Sequence, residues 1–160
     1  MKLFLTSNLN HYIKVNGEKV AKEVDNTNGL VDQLITNLDN KKGITFIPAD
    51  FENINKIKKY SNLLFEALKL SGITFDNYYV IDINNQSEIS TMLNNSSIVF
   101  LSGGETYTQN CYFKNINLRE LLKNYEGIII GQSAGSINLA EDVYNSPECE
   151  SDLSRPLHFK

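Results

Sequence analysis

Residues 127–140 read GIIIGQSAGSINLA, a run of three isoleucines that ends at a serine flanked by glycines and continues as a helical pattern. A continuous apolar run is typical of a strand that is buried on both faces of a parallel sheet. Glycines on both sides of Ser133 permit a sharp turn from strand to helix, because side chains at those positions would obstruct it. The stretch therefore predicts a buried strand, a tight turn that exposes the Ser133 hydroxyl, and a helix.

Four more apolar runs resemble this strand, and stretches with helical spacing separate them. The predicted strands cover residues 2–7, 43–50, 78–83, 97–104 and 127–133, and the predicted helices cover 26–39, 53–71, 86–94 and 109–124. Strands that are separated by helices cannot be hairpin partners, so we expect them to run parallel with helices on both faces of the sheet. Residues 10–24 are interpreted as a loop that enters the first helix, and apolar periodicity ends at Glu141. The pattern predicts an α/β fold around a mainly parallel central sheet.

The composition sets limits on the class of protein. With 160 residues, of which 41% are hydrophobic, the chain is predicted to form a single domain over residues 1–160. The net charge is −4 and the basic residues are scattered, which argues against nucleic acid as a partner. No apolar run approaches 18 residues and the first nine residues do not form a signal peptide, so we expect no membrane association and a cytoplasmic location. The two cysteines, Cys111 and Cys149, lack metal-ligand spacing, and no metal or cofactor is predicted.

A second glycine turn follows the strand that precedes the Ser133 strand along the chain. Residues 100–106 read FLSGGET, and Gly103 and Gly104 leave backbone amides that can approach a ligand or stabilise an oxyanion. The alternative is that each glycine turn serves only local geometry. Because functional sites of parallel sheets lie at the carboxyl ends of the strands, we expect this turn to lie beside Ser133.

These two stretches resemble the peptidase E and cyanophycinase family of serine peptidases, whose fold is related to class I glutamine amidotransferases. The resemblance is carried by FLSGGETYTQN at residues 100–110 and by the Ser-Ala-Gly turn that follows about thirty residues later. It implies a three-layer sandwich and a serine hydrolase that cleaves peptide or isopeptide bonds of small peptide substrates. Ser133 would be the nucleophile, and the backbone amides of Gly104 and Ala134 would hold the oxyanion. An α/β-hydrolase esterase shares the turn but needs about another hundred residues.

The resemblance also implies a substrate-binding side of the site, formed by Gly103, Gly104, Glu105 and Asn110. Glu105 stands where peptidase E has asparagine, so a specificity for aspartyl dipeptides is not carried over. A serine, not a cysteine, occupies the turn, which argues against glutaminase chemistry.

A serine nucleophile needs a base, and the chain has two histidines. His11 lies in a polar stretch and is expected at the surface. His158 lies 25 residues after Ser133. Glu148 lies 15 residues after Ser133 and matches the position of the orienting carboxylate in peptidase E. Glu148 could equally be a solvated residue of an acidic loop.

In the family the histidine comes later, after a further strand. We therefore expect the chain to end before that strand. The alternatives are His158 as the base, or a shortened, non-catalytic domain that keeps the fold. If the strand is absent, one sheet edge is exposed, and we expect the chain to self-associate or to be unstable.

Overall fold

The computed structural model describes residues 1–147 and 150–160, and this part of the chain contains nine strands and six α-helices. The strands are β1 (Lys2–Thr6), β2 (Tyr12–Val15), β3 (Glu18–Ala21), β4 (Gly43–Ile47), β5 (Asn77–Val80), β6 (Ile98–Leu101), β7 (Ile128–Gln132), β8 (Val143–Tyr144) and β9 (His158–Phe159). The helices are α1 (Leu30–Asn37), α2 (Ile54–Leu70), α3 (Ile89–Asn94), α4 (Thr106–Asn115), α5 (Leu118–Leu122) and α6 (Ala134–Ile137). Short 3₁₀ segments cover Gln86–Glu88 and Glu150–Ser154.

Five strands form one parallel sheet in the order β1-β7-β6-β4-β5. In the register at its centre, Ile129 of β7 lies between Leu3 of β1 and Val99 of β6. The parallel α/β fold that the alternation of strands and helices predicted is therefore confirmed. Because all five strands run the same way, their carboxyl ends meet at one edge of the sheet, where loops can assemble a site.

Helices cover both faces of this sheet and give the protein two hydrophobic cores. On one face, α1 and α2 pack against side chains that include Phe46 and Ile130. On the other, α3, α4 and α5 pack against Leu101 and Ile129. Neighbouring residues of a strand point to opposite faces, so the unbroken isoleucine run of β7 supplies both cores at once. The architecture is a three-layer sandwich, as the family resemblance implied.

A β-hairpin replaces the loop that we predicted over residues 10–24, so that prediction was wrong. Strands β2 and β3 are antiparallel, and the turn between them has positive φ at Asn16 (51°) and Gly17 (84°). Two successive positive φ angles define the tight hairpin turn that Asn-Gly favours, so the dipeptide was a signal for it. The hairpin packs on α2, where the Lys19 ammonium donates to the hydroxyls of Tyr12 (3.0 Å) and Tyr60 (2.8 Å).

Element boundaries differ from the predictions wherever a local conformation interrupts a periodic pattern. The single helix predicted over residues 109–124 is two helices, α4 and α5, because Asn117 has φ 52° and cannot continue a helix. After Glu141, where periodicity ends, β8 and β9 form an antiparallel pair of two residues each, too short to leave a pattern in the sequence.

The strand β1 lies at one end of the parallel sheet, with β7 as its neighbour among the described strands. Two of its side chains, Leu3 and Leu5, are exposed on the face that carries α4 and α5. No helix of the described ranges is both long and apolar enough to cross a membrane.

Candidate active site

Ser133 occupies a strained turn between β7 and α6. Its φ is 50° and its ψ is −115°, a combination that residues with a side chain rarely adopt. Its N–H donates to the carbonyl oxygen of Thr6 (2.8 Å), and its own carbonyl accepts from the N–H groups of Ser136 and Ile137. The backbone is therefore held on both sides of the serine while the residue itself is exposed.

The glycines that flank Ser133 are required by close backbone approaches. A Cβ on Gly135 would stand 2.2 Å from the carbonyl oxygen of Leu101, and a Cβ on Gly131 would stand 2.7 Å from the Cα of Ser136. In both cases the obstructing atom belongs to the backbone and cannot turn away. Helix α6 can therefore begin directly against β6 and β7 only with glycine at both positions.

Ser136, which sequence reasoning did not single out, ties the turn to β1. Its hydroxyl accepts from the Thr6 N–H (3.0 Å) and lies within donor distance of the carbonyl oxygens of Gly131 (2.6 Å) and Thr6 (2.9 Å). The sequence signal that could have identified Ser136 was its position in the first helical turn after the glycine-flanked serine. This side chain fixes the position of α6 relative to the sheet and so supports the conformation of Ser133.

The double-glycine turn after β6 lies directly beside this serine. A Cβ on Gly103 would be 3.4 Å from the Cβ of Ser133, which is ordinary van der Waals contact. A Cβ on Gly104 would stand 2.3 Å from the Cβ of Ala49, so this turn packs against the loop that follows β4. Gly103, Gly104, Ser133 and the buried Ala134 thus meet at the carboxyl edge of the sheet.

Glu105 caps the helix that follows the double-glycine turn. Its two carboxylate oxygens accept from the N–H groups of Tyr107 (3.0 Å) and Thr108 (2.6 Å), and the Arg155 guanidinium lies 3.2 Å away. Partial burial by itself raises the pKa of Glu105, but the hydrogen bonds from Thr108 and Tyr107 and the charge of Arg155 outweigh it, and the net pKa is lowered. The carboxylate is therefore ionised and already engaged within the protein.

Asn110 lies on α4 and contacts the helix that follows the serine turn. It is 6% exposed, and its amide nitrogen donates to the side-chain oxygen of Asn138 (3.3 Å). Asn138 in turn donates to the carbonyl of Thr106 and to the side chain of Gln109, both at 3.0 Å. These amides bind α4 to the end of α6, and no hydrogen bond of the described residues joins Asn110 to the serine.

His158 lies on β9, and its Nε2 is 3.6 Å from a carboxylate oxygen of Asp142. Its side chain is 65% exposed, whereas the next residue, Phe159, is buried and packs edge-on against Tyr107 with ring centroids 5.4 Å apart. Because successive strand residues point to opposite faces, the side of β9 that contacts α4 carries the phenylalanine and not the histidine.

His11 is buried, so the expectation of a surface position was wrong. It is 4% exposed, and its Nδ1 has no hydrogen-bond partner among the described residues. Burial, together with the nearby Lys19 charge, lowers its pKa from 6.5 to about 4, so the imidazole is neutral at pH 7. Among the described residues, neither His11 nor His158 hydrogen-bonds to the Ser133 hydroxyl. Glu148, the predicted carboxylate, lies outside the described residues.

Comparisons with known proteins agree with the fold. A model of peptidase family S51 matches residues 10–159. A crystal structure of a candidate peptidase E from Listeria monocytogenes EGD-e is similar in fold, with a TM-score of 0.57 and 24% sequence identity. The similarity covers 84% of this chain and 59% of the Listeria chain, so this chain spans about three fifths of that protein's length. No curated protein matches the chain.

Proposed function

The chain belongs to peptidase family S51, and from that premise we propose that it hydrolyses peptide bonds with Ser133 as the nucleophile. The observation that carries the proposal is the conformation of Ser133, which is exposed at φ 50° and ψ −115° between two obligatory glycines. Strain of this size persists where the surrounding structure enforces it, and it is typical of nucleophile turns at the end of a strand.

The neighbouring backbone supplies the second requirement of acyl transfer. The Ser133 oxygen would attack the carbonyl carbon of the substrate, and the carbonyl oxygen would become an oxyanion. The N–H groups of Gly104 and Ala134 are proposed as its donors, because the double-glycine turn and the start of α6 both border the serine. The proposed base would pass the Ser133 proton to the leaving nitrogen as collapse of the intermediate breaks the C–N bond, and water would then hydrolyse the acyl-serine.

The proposed reaction also needs a base that takes the proton of the Ser133 hydroxyl. Glu148 and His158 remain the proposed carboxylate and base, but His158 contacts Asp142 and not Ser133 in this conformation. Triad enzymes lose about ten-thousandfold to a millionfold in rate without their base. We therefore propose slow hydrolysis by this chain unless β9 reorients. The same observation favours a second candidate function, a peptide-binding domain without turnover.

The substrate is proposed to be a small peptide or an isopeptide, cleaved near one end. Glu105 caps α4 and pairs with Arg155, so its charge is balanced within the protein. We accordingly propose no preference for aspartyl dipeptides. On the basis of the family, we also propose that the protein is cytoplasmic and that it acts as an exopeptidase.

Self-association is also proposed, through the exposed edge of β1. Its backbone pairs with β7 on one side, and Leu5 is 61% exposed. Unpaired strand edges invite pairing with another chain. Sedimentation equilibrium of the wild type and of Leu5→Lys tests this, since a charge on the strand should shift the population toward monomer.

The hydrolysis proposal is tested with three substrates: a panel of Xaa-Ala dipeptides, a β-aspartyl dipeptide and p-nitrophenyl acetate. We expect slow turnover that Ser133→Ala abolishes and that Ser87→Ala, at an exposed position of a 3₁₀ segment, retains. A loss in His158→Ala as large as that in Ser133→Ala would identify His158 as the base, and an unchanged rate would remove it from the proposal. Absence of any Ser133-dependent turnover would favour the non-catalytic domain.

A further inference from the structure

We infer that the side-chain amide of Gln132 binds the main chain of a peptide substrate next to Ser133 and so selects peptides over simple esters. The inference rests on the proposed function, because it places a peptide at the Ser133 site. Gln132 is the last residue of β7 and directly precedes the serine. Sequence reasoning treated it only as part of the turn.

The amide of Gln132 and the Ser133 side chain border the same small region. Its nitrogen, Nε2, lies 3.6 Å from the point that a Cβ on Gly103 would occupy, and the Ser133 Cβ lies 3.4 Å from that point. A substrate group that occupies this space beside Ser133 would also lie near the Gln132 amide. Gly103 is the residue whose missing side chain leaves that region open.

The oxygen of the Gln132 side-chain amide is buried and makes no hydrogen bond with the described residues. By contrast, Gln109 donates to the carbonyl of Ser102 (2.8 Å) and accepts from Asn138. Buried amide groups without partners are unfavourable and rare, so one beside a nucleophile points to a ligand that satisfies it.

The chemistry of a primary amide indicates what that ligand presents. The group carries one acceptor oxygen and two N–H donors, which match the N–H and C=O of a peptide main chain. A peptide whose scissile carbonyl lies between Ser133 and the amide of Gly104 extends a flanking residue past Gly103. In a dipeptide this is the C-terminal residue, which offers its amide N–H and its terminal carboxylate to Gln132, whereas p-nitrophenyl acetate offers neither.

The experiment measures binding and hydrolysis separately. Binding of the Xaa-Ala dipeptide panel is titrated by NMR into Ser133→Ala and into the double variant Ser133→Ala, Gln132→Met, and the Gln132 side-chain amide signal is followed in the former. Gln132→Glu, which keeps the size and the acceptor but loses the donors, provides a second variant should the methionine form not fold. Gln33→Met, at an exposed position of α1, is the control. Hydrolysis of p-nitrophenyl acetate and of the dipeptides is compared in the forms that retain Ser133.

We expect at least one dipeptide to bind Ser133→Ala, to shift the Gln132 amide signal, and to bind about tenfold more weakly when Gln132 is replaced. Dipeptide hydrolysis should fall by a similar factor in Gln132→Met while ester hydrolysis and the melting temperature do not. Equal affinities with and without Gln132, or no dipeptide binding at all, would overturn the inference. Gln132-dependent binding without any Ser133-dependent hydrolysis would instead refute the proposed function and leave the inference standing.

Discussion

Gly103 lies directly against Ser133, so that a Cβ at position 103 would be 3.4 Å from the Cβ of the serine. The contact joins the loops that follow β6 and β7, which are neighbours in the parallel sheet. It brings the double-glycine turn to the side of an exposed serine. The proposed reaction depends on this contact.

The first prediction concerns Gly103→Ala. The new methyl group would make only ordinary contacts, so we expect the melting temperature to stay within about 2 °C of the wild type. The same methyl group would fill the space next to the serine, and dipeptide hydrolysis should fall at least about tenfold. Thermal unfolding and dipeptide assays on the same preparation check both parts. A variant with unchanged hydrolysis would show that substrates do not use this space.

Gly135→Ala, unlike Gly103→Ala, is expected to destabilise the fold. Its Cβ would overlap the carbonyl oxygen of Leu101 at 2.2 Å, and a backbone atom cannot rotate away. Overpacking of this kind costs about 1–3 kcal/mol, so the free energy of unfolding should fall by about that amount. Urea unfolding measures the loss, with Gly103→Ala as the matched control. Equal stability of the two variants would mean that α6 does not begin as close to β6 as the structure has it.

Replacement of His11 should change how stability depends on pH. Because burial lowers the pKa of His11 from 6.5 to about 4, the unfolded chain binds more protons than the folded chain between these pH values. Stability therefore falls as the pH decreases through that window, by about 3 kcal/mol once it is complete below pH 4. His11→Phe removes this contribution and should flatten the wild-type profile by that amount.

The control for His11 is His158→Asn, at a side chain that is 65% exposed. Urea unfolding at pH 7, 5.5 and 4 compares the wild type with both variants. If His11→Phe and the wild type lose stability in parallel, the imidazole is not held neutral by burial.

Glu105→Ala removes the cap of α4. Loss of an N-terminal cap costs about 1 kcal/mol, and we expect that decrease in the free energy of unfolding at pH 7. Because the pKa of Glu105 is lowered, its stabilising effect is present above its ordinary pKa of 4.5 and is lost as the pH falls through the lowered value. The gap between wild type and variant should therefore narrow at pH 3. Guanidinium unfolding at pH 7 and pH 3 measures the difference in free energy of unfolding between the two forms. A difference that is the same at both pH values would contradict the role of the Glu105 carboxylate as the cap.

The features that sequence patterns predicted are those that local chemistry determines. The continuous apolar runs of β6 and β7 indicated a buried parallel sheet, and the glycines around Ser133 indicated its turn. The burial of His11 could not be predicted, because the residue lies in a polar stretch and its burial depends on the tertiary fold. The pairing of Glu105 with Arg155, fifty residues apart, likewise depends on the tertiary fold.

The hairpin itself was missed for a different reason. Its Asn-Gly turn is a local signal, but its strands carry three exposed apolar residues, Ile13, Val15 and Val20, and no clear alternation of buried and exposed positions. The hydrophobic pattern of the sequence therefore did not indicate two strands on either side of the Asn-Gly turn. The hairpin is joined to the rest of the protein by long-range contacts that include the hydrogen bond of Lys19 to Tyr60 on α2.

The most direct test of the account is covalent labelling of Ser133 by a fluorophosphonate, followed by intact-mass measurement and peptide mapping. A serine hydroxyl is modified by this reagent when its site activates it as a nucleophile. The account predicts one adduct per chain, located on Ser133 and formed slowly because no histidine contacts the hydroxyl, and no adduct on Ser133→Ala. Labelling that persists in Ser133→Ala, or a Ser133 that stays unmodified after prolonged exposure, would contradict the claim that this turn carries the nucleophile.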